Sequence, residues 1–341
     1  MLRARLGTRL HDVAAATEEC WRVSSGSAAV LGLQQVAMDA APTTAYLMLG
    51  DRCSRNCAFC TQARESHARQ SALSRVTWPL IQASVAADAV ARAYLEGTIE
   101  RACFQVTVSP GSLARTERAV ADLARRCPMP ISVSIVPRSA KDVERLLGAG
   151  AERVTMALDA ACERVHRSVK GRSWSGTMSL LESCARSHPG SIGTHLIVGL
   201  GETEREMAEC MQMLADLSVS IGLFAFTPVR GTALQDWAPP SLAQYRRMQV
   251  ARWLMVNGLA RTEQFEYEQR DGRLCHLGLD AERLRSLLAG GDAFRTSGCA
   301  GCNRPYYNER PGGVMYNYPG PLAPVKVREE VEALVEGLIW S

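Results

Sequence analysis

Six short apolar runs recur along the chain, each followed by an amphipathic stretch, and this alternation limits the fold more than any other feature. The strand candidates are residues 44–50, 102–109, 131–137, 153–158, 193–199 and 221–227. Helix candidates lie between them at 80–95, 114–126, 140–147, 177–186 and 204–217, and a further one at 241–257 follows the last strand. Strands that alternate with helices predict a parallel sheet with right-handed crossovers. The runs are short and apolar, so burial on both faces is expected. Six units fall short of a closed eight-unit barrel. The fold class is therefore α/β, a partial (β/α)6 TIM-like barrel, with its chemistry expected at the C-terminal strand ends.

Composition narrows the function classes. The chain has 341 residues, 47% hydrophobic and 22% charged, as in an ordinary globular protein. Its net charge is +4. The basic residues are nearly all Arg and are scattered, so no nucleic-acid arm is read. No apolar run is long enough to span a bilayer. The N-terminus is Arg-rich and amphipathic and lacks the apolar core of a secretory signal, so it is read as a first helix and the location as cytoplasmic. Three parts are expected: a mainly helical extension at 1–43, the barrel at 44–257, and a C-terminal part at 258–341. The last holds a hairpin around Asp271-Gly272, a helix at 280–289, and an ordered tail rich in Gly, Pro, Asn and Tyr.

Five of the 12 cysteines fall in two tight groups, Cys53, Cys57 and Cys60, then Cys299 and Cys302. Clustered cysteines without an export signal read as metal or iron–sulfur ligands. Most of the single ones read as small core hydrophobes. The first group, DRCSRNCAFC, directly follows the first strand with C-x3-C-x2-C spacing. Three thiolates on one loop can hold three irons of a [4Fe–4S] cluster and leave the fourth open to an amino acid's amino and carboxylate groups. Zinc sites usually supply four ligands in two pairs, and ferredoxin spacings differ.

This motif resembles that of the radical S-adenosylmethionine (SAM) superfamily, and the resemblance runs from about residue 44 to 234. It implies that SAM binds the open iron and is cleaved reductively to a 5′-deoxyadenosyl radical. GTHLIVGLGETEREM, from Gly193, resembles the family's fifth-strand motif. Ile197 or its neighbour Val198 would pack on adenine, with Gly199 and Gly201 allowing close approach. Glu202 and Glu204 are read as ligand contacts or as helix-cap residues. Asp159 matches the Asp that accepts from the ribose hydroxyls in biotin-synthase-like relatives, although Ala157 replaces their Asn. Arg172 matches a region that binds the methionine carboxylate. Pro228, Gly231 and Thr232, in FTPVRGTAL, would shape the SAM pocket.

Cys103 matches the first ligand of biotin synthase's second cluster, but the matching places on strands three and five hold no cysteine. Biotin synthesis is therefore not expected. In the tail, SGCAGCNRPYYNERPGG carries Cys299 and Cys302, with Cys103 as the preferred third ligand to an auxiliary [4Fe–4S] cluster. Cys275 and Ser297 are other ligand candidates, and a zinc knuckle of Cys275, His276, Cys299 and Cys302 is an alternative. The tail resembles the biotin-synthase-related group, in particular a subunit of the two-protein, archaeal-type lipoyl synthase. That implies sulfur insertion into an octanoyl chain on a lysine of a lipoyl carrier protein, a companion radical SAM subunit, and a ferredoxin- or flavodoxin-type reductant. Asn303, Arg304, Tyr306, Tyr307, Asn308, Glu309 and Arg310 become candidates for fixing the tail or binding the carrier. Two alternatives are another radical SAM reaction with an electron-carrying second cluster, and a non-catalytic iron–sulfur subunit.

Overall fold

The computed structural model describes residues 19–309 and 312–340. The chain begins with β1 (Cys20–Val23), α1 (Ser25–Val30) and β2 (Thr44–Leu49). A small hairpin, β3 (Ala72–Leu73) and β4 (Val76–Thr77), and β5 (Leu80–Gln82) precede α2 (Ala83–Leu95). Next come β6 (Arg101–Val106) with α3 (Ser112–Arg126), and β7 (Ile131–Ser134) with α4 (Ala140–Gly148). Then follow β8 (Arg153–Thr155) with α5 (Glu163–Lys170) and α6 (Trp174–Ser187), and β9 (Ile192–Val198) with α7 (Glu204–Asp216). β10 (Ser220–Ala225) leads to α8 (Leu242–Val256). The C-terminal part holds β11 (Glu266–Tyr267), β12 (Leu274–His276), α9 (Ala281–Leu288) and α10 (Pro324–Glu336).

All six expected strands form one parallel run, β2-β6-β7-β8-β9-β10. The 1–43 extension contributes something the sequence reading did not anticipate. β1 adds antiparallel to the outer edge of β2, and β5 pairs antiparallel with β1. Leu80–Gln82 therefore belong to the sheet rather than to the start of α2. The helix expected at the very N-terminus lies outside the described residues. α5 was not foreseen, because so short a helix offers little apolar periodicity. Among the described residues no helix is long and apolar enough to cross a membrane.

Side chains alternate along each strand, as the pleat requires. Ala45, Leu47, Ala102, Phe104, Ile131 and Val133 face the helices in the main core. Their neighbours Tyr46, Cys103, Gln105, Ser132 and Ser134 line a central cavity. Burial on both faces holds, but the inner face is small and polar. Residues from all six parallel strands line this one cavity, so the sheet wraps around it.

The tail bridges the residue before β2 and the edge strand β10. On one side, Asn303 Oδ1 accepts from Thr43 N at 3.0 Å, and Thr43 Oγ1 donates to Gly301 O at 2.6 Å. On the other, Ser297 Oγ accepts from Leu223 N at 2.9 Å, and Asn308 Nδ2 donates to Ala225 O at 2.9 Å. These bonds satisfy edge-strand groups that would otherwise be left unpaired. Glu309 is buried and accepts from the backbone N–H groups of Asn308 and Asn317. Arg310 lies outside the described residues.

Candidate active site

The cavity has a volume of about 250 Å³ and carries cysteines at two places. The first group sits on the loop after β2. Arg52 organises this loop by donating to the carbonyls of Thr61, Ala63, Ser66 and Ala68 at 2.8–3.2 Å. Ala58 N donates to Val169 O at 2.8 Å, tying the loop to α5. Cys53 Sγ accepts from Arg55 N at 3.4 Å and Val108 N at 3.3 Å, two donors suited to a thiolate sulfur. Burial pushes the Cys57 thiol up, and it pushes Cys60 up to about 12 with help from the neighbouring Cys57 and Cys53 sulfurs. The three thiols therefore share one electrostatic neighbourhood. Loading a metal there releases their protons. Three thiols on a pinned loop, with N–H donors at one sulfur and a cavity beside them, fit a [4Fe–4S] cluster held at three irons.

Asp159 follows β8 in the left-handed region at φ 65°, a conformation Asp tolerates better than most residues. Its carboxylate pairs with Lys170 Nζ at 2.6 Å, and Lys170 also donates to the carbonyls of Ala157 and Leu158. The sequence reading did not identify Lys170. The pair is buried, so removing one partner strands a charge. Lys170→Met is expected to cost about 3–5 kcal/mol and to lower the melting temperature. Adding Asp159→Asn should recover much of that loss. If Lys170→Met melted like the wild type, the ion pair would not contribute.

Arg172 is half-buried near Cys57, and burial together with nearby Arg55 lowers its pKa. Of the two adenine candidates, Ile197 lines the cavity and packs near Phe59. Val198 points the other way, into the main core under the helices, which corrects the alternative choice. Gly199, at φ 100°, lies against Pro240, where a Cβ would come within 2.9 Å of the ring. Glu202 and Glu204 act on their own chain. Glu202 accepts from Gly199 N and Leu200 N, whereas Glu204 pairs with Arg247 and accepts from Leu274 N.

Pro228, Gly231 and Thr232 do not line the cavity, although Thr227 and Val229 do. They build the turn behind it. Thr232 Oγ1 donates to Val229 O at 2.7 Å, and Gly231 O accepts from His67 N at 2.8 Å. Gly231 sits at φ 89°, where a Cβ would lie 2.6 Å from Ala68 N. Gly231→Ala is expected to destabilise the fold by about 1–3 kcal/mol, read as a lower denaturation midpoint. An unchanged midpoint would contradict this close approach.

The second group assembles from distant parts of the chain. Cys299 and Cys302 lie on a turn in which Cys302 N donates to Cys299 O at 3.2 Å. Cys103, on β6, faces them across the cavity, and its thiol is pushed up by burial and by the sulfurs of Cys299 and Cys302. Each thiol has a polar neighbour that the sequence reading missed. Tyr46 Oη lies 3.2 Å from Cys302 Sγ, Ser132 Oγ lies 3.4 Å from Cys299 Sγ, and Gln105 Nε2 donates to Cys103 Sγ at 3.1 Å. Arg101 holds the turn by donating to Ala300 O at 2.7 Å.

The zinc-knuckle alternative is not assembled. Cys275 is buried on β12 and feels Glu268 and Glu266 rather than the tail cysteines. His276 packs edge-on against Trp340, and its Nδ1 accepts from Gly278 N. Among the described residues no three Cys, His, Asp or Glu side chains converge on a single ion. Ser297 spends its hydroxyl oxygen on Leu223 N.

Two ring side chains, Tyr307 and His195, also line the cavity. Tyr307 is pushed up by burial first, then by Cys60, and it also feels Cys103 and Asp159. It packs edge-on against Phe224. His195 also packs on Phe224, and burial lowers its pKa to about 4, which keeps the imidazole neutral near pH 7. Arg304 lies over the Phe224 ring, 3.8 Å from its centroid, and donates to Ser297 O at 2.8 Å.

Residues 47–214 match the radical SAM superfamily model, and the chain carries a radical SAM domain. Such a domain implies a [4Fe–4S] cluster and SAM. Within the superfamily, the similar curated proteins belong to the biotin-synthase-related group. A biotin synthase from Synechococcus sp. (strain RCC307) is 28% identical over 67% of this chain and 73% of its own length. A lipoyl synthase from Halorubrum lacusprofundi is 23% identical, over 54% of this chain and 58% of its own. Among solved structures, methylornithine synthase superposes with a TM-score of 0.51 at 11% identity, over 63% of this chain and 62% of its own. That likeness concerns the fold alone. The chain thus spans less than two thirds of the lipoyl synthase and of methylornithine synthase.

Proposed function

We propose that this chain is a sulfur-inserting radical SAM enzyme, a lipoyl synthase subunit acting on an octanoyl chain attached to a lysine of a lipoyl carrier protein. A companion radical SAM subunit would share the two insertions, and a ferredoxin- or flavodoxin-type protein would supply electrons. The observation that carries the reading is one cavity holding Cys60 of the first triad and Cys103, Cys299 and Cys302 of the second, with Tyr307 also lining it. When bound, a [4Fe–4S] cluster with SAM supplies a 5′-deoxyadenosyl radical that takes hydrogen from an unactivated carbon, and an auxiliary cluster supplies sulfide to that carbon.

The protein's part is positioning and exclusion of water. Asp159, Arg172 and Ile197 are assigned to ribose, methionine carboxylate and adenine. Phe59, Trp78, Ile197, Phe224 and Phe226 give the chamber apolar walls suited to an alkyl chain. The tail closes the chamber and delivers Cys299 and Cys302. A biotin-synthase activity is disfavoured by the barrel wall. Cys103 pairs in register with Ser132, and Gly193 also faces the cavity, so neither place supplies a thiolate. The test is an anaerobic assay with SAM, a reductant and an octanoyl-lysine carrier domain. Sulfur added to the octanoyl chain, with loss of cluster iron, supports the proposal. Release of 5′-deoxyadenosine without sulfur transfer would overturn it.

A further inference from the structure

The chamber and the groove beside it differ in how exposed their cations are. Every cation that lines or borders the chamber is engaged. Lys170 pairs with Asp159, Arg304 lies on Phe224 and bonds Ser297 O, and Arg153 donates to Ser220 Oγ and Gly190 O. Of the three, Lys170 alone is neutralised by a carboxylate, and the two guanidiniums are held in place by neutral groups. Outside it lies an open groove of about 540 Å³ that shares Ser74 and Val229 with the chamber wall. Arg69, Arg75 and Arg230 line this groove, with Tyr306 beside them.

Arg69 and Arg230 are exposed, and neither guanidinium has a hydrogen bond or ion pair among the described residues. Both stand in one groove, whereas Arg261 is paired by Asp216 and Glu263, and Arg285 by Glu332. The sole carboxylate lining the groove is Glu309, and its oxygens are taken by the amide groups of Asn308 and Asn317. The groove is thus positively charged and lies next to a chamber that has several apolar wall residues.

We propose that this groove docks an acidic protein domain, and that the domain holds its acyl chain at the chamber wall formed by Ser74 and Val229. The proposal rests on the proposed function and names the surface that serves it. Exposed guanidiniums are individually weak partners, so a lone small anion would gain little here. A domain with several carboxylates gains from Arg69 and Arg230 together, mostly in association rate and orientation, and the gain falls as salt screens it. The division of labour follows from the apolar side chains of the chamber and the exposed guanidiniums of the groove. The apolar chain enters the chamber and the acidic carrier stays outside.

The test uses the full chain and the double variant Arg69→Glu/Arg230→Glu. Binding of a fluorescently labelled octanoylated carrier domain is read by anisotropy, which does not depend on turnover. The expected result is at least tenfold weaker binding by the double variant. Wild-type binding should weaken with added sodium chloride, and the variant's should change little. SAM cleavage and handling of a short uncharged octanoyl-lysine peptide should stay at wild-type levels. Wild-type carrier affinity in the double variant would overturn the proposal, as would competition by millimolar inorganic phosphate, which would assign the groove to a phosphate group. If carrier binding behaves as expected but no sulfur is inserted, the proposed function fails and the docking surface stands.

Discussion

Cys57→Ala protein, reconstituted anaerobically and reduced, is expected to release no detectable 5′-deoxyadenosine from SAM. Cys57 sits in the middle of the loop that Arg52 pins, and its sulfur shares its surroundings with Cys53 and Cys60. Losing one of three thiolates removes a corner of the cluster, because the loop has no spare thiol to replace it. The Asp159–Lys170 pair beside the loop would remain in place. The control is Cys210→Ala, which changes a buried cysteine in the core under α7. That variant should cleave SAM normally. Wild-type cleavage by Cys57→Ala would show that the first triad is not the cluster site.

Cys302→Ala has the opposite signature. It should cleave SAM at close to the wild-type rate and form no sulfur-inserted product. Cys302 is on the far side of the chamber from the first loop, in contact with Tyr46 and sharing its surroundings with Cys103. The tail should still seat itself, because Asn303, Ser297 and Asn308 hold it through other bonds. Uncoupling of this kind separates radical generation from sulfur delivery. Normal product formation by Cys302→Ala would rule out the second group as sulfur donor. Loss of both activities would mean that the tail had not folded.

The barrel was legible because alternating strands and helices leave strong periodic marks, and all six parallel strands were placed within a few residues. Strand alternation was also visible in ISVS at 131–134, yet it was read as burial on both faces without distinguishing small polar from apolar residues. The same pleat decides between Ile197 and Val198, since neighbours on a strand face opposite ways. The first cysteine group was readable because its spacing is local. The second needed a contact between β6 and a tail nearly two hundred residues later. A resemblance suggested Cys103 for it, whereas periodicity did not. Lys170, His195 and Tyr46 went unnoticed because each is ordinary in sequence. Their importance comes from what lies beside them: a carboxylate, an aromatic ring and a thiol.

The central claim is that two cysteine triads, each built for an iron–sulfur cluster, meet at one chamber through Cys60 and through Cys103, Cys299 and Cys302. Iron and sulfide analysis of the anaerobically reconstituted protein, beside a variant with Cys53, Cys57 and Cys60 all changed to Ala, tests it most directly. Two four-iron clusters predict about eight irons per chain in the wild type and about four in the triple variant, with matching sulfide. A triple variant that retains no iron would contradict it.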